Sequence, residues 1–309
     1  MDGPAVVATG LRKAYGTRIA VDGIDLHVAR GECFGFLGPN GAGKTTTMRM
    51  LACLSSRDSG DLRVLGMDPD REPRALKARL GVVPQDVNLD LELTVLENML
   101  VYARYFGIPG REARERAEGL LAFVDLLARA DDTVSRLSGG MQRRLQIARA
   151  LINEPEMILL DEPTTGLDPQ ARRLVWERLR DLRSRGTSVV ITTHYMDEAE
   201  RLCDRLIVID HGRVVREGSP ADLVRRDVGA EVVEARVDPA AAAGFAAAVS
   251  PRHLVEGDVV LAFGDSADQM TARADATGIP WQPISARRAT LEDLFIVLTG
   301  HSLREGAGD

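Results

Sequence analysis

Gly38-Pro39-Asn40-Gly41-Ala42-Gly43-Lys44-Thr45-Thr46 has the spacing G-x-x-x-x-G-K-[ST]. Its glycines let the backbone curl so that successive N–H groups face inward around phosphate oxygens. The helix that follows adds the partial positive charge of its N-terminus. Lys44 has the reach to meet β- and γ-phosphates, and the Thr45 hydroxyl suits a Mg²⁺ ligand. A second stretch, Met157 to Leu160, is apolar and ends in Asp161-Glu162. Two carboxylates at the C-terminal end of a buried strand lie at the edge where parallel sheets bind ligands. Asp161 suits the holding of Mg²⁺, and Glu162 the polarising of an attacking water. A third, Leu137-Ser138-Gly139-Gly140-Met141-Gln142, precedes helix-compatible Arg143-Arg144-Leu145. It reads as another anion-binding helix N-terminus. One chain has no evident use for a second phosphate cradle. Two facing copies do, if each lends this loop to nucleotide held on the other.

These residues require a particular scaffold. Cys33 to Leu37, Met157 to Leu160, Ser188 to Thr192 and Leu206 to Ile209 are short apolar runs without alternation. Separated by helical stretches, they predict a parallel sheet covered on both faces. Between about residues 88 and 150 the pattern turns helical. Thr94 with Glu97 forms a capping-box pattern, and a second helix starts near Arg111, with Gly107, Pro109 and Gly110 as punctuation between. After about residue 225 a smaller module reads βαββαβ, a ferredoxin-like order: Glu231 to Val237, a helix from Pro239 to Val249, a strand pair around Gly257-Asp258, a helix capped by Ser266, and an extended Trp281 to Ala286. A last helix carries Leu291, Leu294, Phe295 and Leu298 on one face. The expected fold is α/β: a P-loop domain over 1–225 with a helical insertion over 88–150, and a small α+β domain over 226–309.

Composition excludes several classes. There are 46 acidic against 39 basic residues, a formal charge of −7, which argues against a nucleic-acid partner. Only Lys13, Lys44 and Lys77 are lysines; the other basic residues are arginines, a bias that fits a GC-rich genome. Cys33, Cys53 and Cys203 have neither disulfide density nor metal-ligand spacing and read as reduced thiols. No run approaches the roughly 18 apolar residues of a membrane span, and no export signal is visible. Met48, Met50 and Met99 read as core filler, and the arginines between Arg172 and Arg185 as a solvated helix face.

The chain resembles the nucleotide-binding subunits of ABC transporters over roughly residues 6 to 218, with the motifs in the family's order. The resemblance implies ATP and Mg²⁺ as ligands. It makes Tyr15 the aromatic that stacks on adenine, Gln85 a sensor of Mg²⁺ and water, and Leu137 to Met141 the signature loop. It also makes Asp168, in Gly166-Leu167-Asp168, part of the D-loop, and His194 the switch histidine that contacts γ-phosphate. Ser138 and Gly140 would touch γ-phosphate across a homodimer that sandwiches two ATP molecules. Met141 stands where the commonest signature has Gln.

Glu32-Cys33-Phe34-Gly35, the Asp161 to Pro169 run, Met196 to Asp204 and the closing Thr290 to Gly300 are similar to a narrower branch, the daunorubicin-resistance-type and nodulation-factor exporters. That branch implies an export ATPase on the cytoplasmic face of the membrane, held there by two copies of a separate permease subunit. It further implies drug-like or lipid/glycolipid cargo, hence multidrug efflux or antibiotic resistance. The surface near Gln85 and Val87-Asn88-Leu89-Asp90 would receive the permease. Rival readings are an importer ATPase and a non-transport ABC ATPase. The last helix either contacts the other subunit, in a dimerisation or regulatory role, or only covers its own module's sheet.

Overall fold

The computed structural model describes residues 3–299, so Gly300, which ends the closing run, lies outside the described residues. The chain divides into two compact units, one ending at Glu217 and the next starting at Gly218.

In the first unit a six-stranded sheet runs Leu80–Val83, Met157–Asp161, Ser188–Thr193, Cys33–Leu37, Arg205–Asp210, Arg213–Gly218. The neighbours from Leu80–Val83 through Arg205–Asp210 are parallel. Every residue of Cys33–Leu37, Met157–Asp161 and Ser188–Thr193 is buried, as strands covered on both faces must be. A second, antiparallel sheet orders Arg18–Val28, Val6–Tyr15 and Ser59–Val64. The sequence reading did not foresee it as a separate layer. Its strands alternate buried and exposed positions, and Val6, Ala8, Leu11, Ile24 and Leu26 share one core with Phe34, Phe36, Leu159 and Ile207.

Met48, Met50 and Leu51 of helix Lys44–Leu51 fill that core. The helical insertion contains Val95–Tyr105, Gly110–Phe123 and Gly139–Ala150 around its own apolar cluster, which includes Met99, Leu121 and Leu145. Its first helix has both capping-box bonds: Glu97 N–H donates to Thr94 Oγ1 at 3.1 Å, and Thr94 N–H to Glu97 Oε2 at 2.8 Å. Of the arginines expected on a solvated face, Arg173, Arg180, Arg183 and Arg185 are exposed, while Arg172 and Arg178 are half-buried. Arg172 stacks 4.6 Å from the Tyr195 ring centroid, while Arg178 and Arg185 lie 5.2 and 5.4 Å from that of Phe123.

The second unit's strands order Arg252–Glu256, Val259–Gly264, Glu231–Val237, Trp281–Arg288, all neighbours antiparallel. This is the ferredoxin-like arrangement, with helices Pro239–Val249 and Ala267–Ala276 closing on Val233, Ala235, Val260 and Ala262. The last helix, Leu291–Thr299, packs on helix Pro220–Asp227. Leu291, Leu294 and Phe295 are buried within the chain, as is Leu223. Of the two expectations for this stripe, the burial of Leu291, Leu294 and Phe295 against a helix of the same unit favours cover within the module, by that helix rather than by the sheet, with Leu298 half-buried. Asp293 is fully buried. It accepts two bonds of 2.7 Å from Arg287, and the Thr290 N–H and hydroxyl bond to it at 2.8 and 3.0 Å.

Candidate active site

Three strand ends in the first unit build the site. Strand Cys33–Leu37 runs into the glycine loop, Met157–Asp161 into Glu162, and Ser188–Thr193 into His194. They are adjacent because Leu37 pairs with Thr193, and Asp161 with Thr192. Two glycines have no substitute here. A Cβ on Gly38 would lie 2.2 Å from the Ile209 carbonyl oxygen; one on Gly43, whose φ is +109°, would lie 2.4 Å from that of Ala20.

Lys44 is folded back onto its own loop, donating to Gly38 O at 2.7 Å and Pro39 O at 3.0 Å, with Glu162 Oε1 3.8 Å away. Burial lowers its pKa, and the charges of Glu162 and Asp161 oppose that shift. Thr45 Oγ1 donates to Asp161 Oδ1 at 3.2 Å, and the Thr192 hydroxyl donates to the same oxygen.

Glu162 has φ +46°, the left-handed region, and is held there by its N–H donating to Thr192 O at 3.1 Å and Thr192 Oγ1 at 3.0 Å. Its Oε2 accepts from Thr165 Oγ1 at 3.1 Å and from Gln85 Nε2 at 3.4 Å. His194 Nδ1 lies 3.2 Å from the same oxygen, close but poorly aligned for a hydrogen bond. Contact with His194 is the largest influence on this carboxyl, and with Lys44 and Thr165 it holds the pKa below the ordinary value against burial. Glu162 is thus ionised near neutrality, the form that accepts a proton.

A cleft of about 490 Å³ opens above these groups, lined by Tyr15, Arg18, Ala20, Asn40, Gly41, Gly43, Lys44, Thr45, Thr46, Gln85 and Glu162. Tyr15 is 48% exposed, its ring free to stack, with Lys13 Nζ 5.5 Å from its centroid. Gly38 and Pro39 serve Lys44 through their carbonyls, and Ala42 is buried under the loop. Ser138, Gly139, Gly140 and Asp168 are not in this cleft. Ser138 caps helix Gly139–Ala150, its Oγ accepting from Met141 N–H at 3.3 Å. Asp168 caps Pro169–Ser184 by accepting from Gln170 and Ala171 N–H at 2.9 and 2.8 Å. These two caps are neighbours: a Cβ on Gly140 would meet Ala171 Cβ at 3.1 Å.

The sequence reading missed Arg18, Ala20, Thr165, Thr192 and Arg143. The first two follow Tyr15 closely enough to share its cleft. Thr192 is visible as a hydroxyl at the end of an apolar run. Arg143 was hidden among arginines.

A curled phosphate loop, a buried lysine, and a strand-end Asp-Glu pair beside a histidine define a P-loop ATPase cassette. Comparisons agree. The family described as "ABC transporter" matches residues 21–165. "Nod factor export ATP-binding protein I" of Paraburkholderia xenovorans (strain LB400) is 47% identical, covering 96% of this chain and 97% of that protein. The protein of the same description from Rhizobium sp. (strain N33) is 45% identical, covering 97% and 99%. Among solved structures, the dimeric post-hydrolysis state of the ATP-binding cassette MJ0796, bound to ADP and Pi, has a TM-score of 0.64 and 30% identity. It covers 69% of this chain and 98% of that one. Clostridium perfringens cbiO1, part of the complex cbiONQ, has a TM-score of 0.67 and 28% identity, covering 72% and 92%. The chain belongs to the ABC transporter ATP-binding subunits, and it is an ATPase of that family.

The donor set fits Mg²⁺. Thr45 Oγ1 and Asp161 Oδ1 are hard oxygens 3.2 Å apart. Among the described residues no cluster of three or more His, Cys, Asp or Glu forms a metal site by itself. Mg²⁺ takes one or two protein oxygens and the rest from phosphates and water. When bound, Mg²⁺ supplies charge neutralisation on the phosphates. Lys44 would turn from its carbonyls to the phosphate oxygens. Glu162 would accept the proton of a water that Gln85 and His194 help to place.

Proposed function

We propose that this chain powers export through a separate membrane subunit. Two copies sandwich two MgATP between them, each pairing its P-loop with the partner's Ser138 loop. What carries the reading is 47% identity to a Nod factor export ATP-binding protein across 96% of the chain. The dimer is supported by the separation of Ser138 to Gly140 from the cleft in one chain, and by the dimeric state of a solved relative. No helix among the described residues is long and apolar enough to cross a membrane, so the translocation path would belong to the partner. Two permease copies would hold the dimer at the cytoplasmic face, and the cargo would be drug-like or lipid/glycolipid-like.

The permease surface is centred on residues 87–91. Val87 and Leu91 are 47% and 48% exposed and Tyr105 79%, beside a hollow of about 280 Å³ that includes Asn88, Val101 and Tyr102. Leu89, expected on this surface, is instead buried and anchors the segment to the helical core. The second unit is assigned a regulatory or dimer-stabilising role through surfaces other than the Leu291 stripe. The test is co-purification and ATP-driven efflux in vesicles with a candidate membrane subunit. Introducing a charge there, Val87→Glu or Leu91→Glu, should abolish the pairing. Unchanged pairing and efflux would refute this docking surface, and uptake instead of efflux would refute export.

A further inference from the structure

Arg143 is buried on helix Gly139–Ala150, five residues after Ser138, and makes no ion pair with any described residue. Its N–H groups instead meet the carbonyls of two distant segments. Nε donates to Pro163 O at 2.8 Å, and Nη2 to Asp161 O at 2.8 Å and Glu162 O at 3.1 Å. Nη1 turns the other way, to Pro84 O, to Gln85 O at 3.5 Å and to Gln146 Oε1 at 3.0 Å. One planar fork thus lies between the backbone that carries Glu162 and the backbone that carries Gln85.

Packing alone does not call for this. Burying a guanidinium carries a desolvation cost, offset here because its N–H groups serve carbonyls of residues 84, 85 and 161–163 that an apolar side chain of similar volume would leave without this donor. The cost is visible in the group itself, whose pKa burial pushes down to about 10. A rigid fork with five donors can span two segments, where a lysine ammonium serves one point. The same helix face continues the attachment. Gln146 Nε2 donates to Asp86 O at 2.9 Å and Asn88 Oδ1 at 3.2 Å, and Arg149 Nη1 to Asn88 O at 2.9 Å. Residues 84–88 are therefore tied to the helix that Ser138 caps, and at Arg143 alone of these three also to the end of the Asp161 strand.

We propose that Arg143 is a positioning residue for ATP hydrolysis: it fixes Gln85 and Glu162 against each other, and thereby connects the segment 84–88 to the water-activating carboxylate. This rests on Glu162 being the general base.

The experiment uses the full chain, with Arg143→Gln, Gln85→Ala, their double variant and Glu162→Gln. Arg143→Gln is expected to bind ATP within about twofold of wild type while kcat falls about tenfold or more. In the double variant the two losses should not multiply, because Gln85→Ala keeps the carbonyl that Arg143 holds but removes the side chain whose placement that contact serves. Amide exchange should rise over residues 85–88 and 162–165 but not over helix Val95–Tyr105, which a general loss of stability would also loosen. A folded Arg143→Gln protein with kcat within twofold of wild type, or losses that multiply, overturns the inference. If Glu162→Gln is inactive and Arg143→Gln is not, only this inference falls; if Glu162→Gln turns over normally, the general-base reading falls first. Should Arg143→Gln fail to fold, Arg143→Met is measured in the same way. If neither folds, Arg143 serves stability and the proposal fails.

Discussion

Replacing Glu162 by Gln removes one charge and almost no volume. The amide oxygen still accepts from Gln85 and Thr165, and the backbone bonds to Thr192 are untouched. What is lost is the carboxylate assigned here as proton acceptor. General-base catalysis is worth about 10² to 10⁴ in rate, or about 2.7–5.4 kcal/mol of transition-state stabilisation. Binding should move the other way. Glu162 lies 3.8 Å from Lys44 and both are buried, so at an effective dielectric near 20 the pair is worth about 4 kcal/mol before desolvation costs. That attraction competes with phosphate for Lys44. Relief of even about 1 kcal/mol of it tightens ATP about fivefold. Phosphate release measured beside equilibrium ATP binding should therefore show turnover down at least about a hundredfold and affinity equal to wild type or higher. Turnover within about threefold of wild type, or binding lost in step with turnover, would refute the reasoning.

Mixed dimers of Ser138→Arg and Lys44→Ala chains should keep at most one composite site, and those chains should regain hydrolysis on mixing only if the sites are shared; no recovery under conditions where wild-type chains exchange counts against the sandwich. Burial raises the Cys53 pKa to about 11 from 9.0, and the neighbouring Cys33 thiol together with burial raises that of Cys203, so both thiols stay protonated at neutrality. Alkylation of Cys53 near pH 8 should run about a hundredfold slower than in the unfolded chain; rapid labelling of the native protein would contradict its burial. Glu156 is held to about 2, from 4.5, chiefly by Arg79 and then by Arg30. A depressed carboxyl stabilises the fold above its unfolded pKa and loses that contribution as pH falls towards its folded one. The melting-temperature gap between wild type and Glu156→Gln should thus be full near pH 6 and close between about pH 4.5 and 2. A gap independent of pH would refute it.

Much of the cassette was legible because its signals are local. Gly38 to Thr46 declares its turn through glycines, and Met157 to Asp161 declares a strand buried on both faces through continuous apolarity. The strand and helix order of the second unit followed from turn residues and caps such as Ser266. The antiparallel sheet was not legible as a separate layer, since strand partners are set by packing between distant segments. Nor was the fate of the Leu291 stripe, because an apolar helix face specifies that it will be covered and not by what.

By itself the sequence determined the chemistry: which groups can cradle phosphate, hold a metal and accept a proton, each encoded within a few adjacent residues. Only the tertiary structure decided which groups meet. It set Glu162 beside His194, Gln85 and Lys44, and left Ser138 in a different place. It also buried one arginine, of a residue type that is mostly exposed, against the carbonyls of two segments far apart in the chain. The physical reason is that side-chain chemistry is carried by residue type, whereas approach depends on strand order and on where buried polar groups find partners.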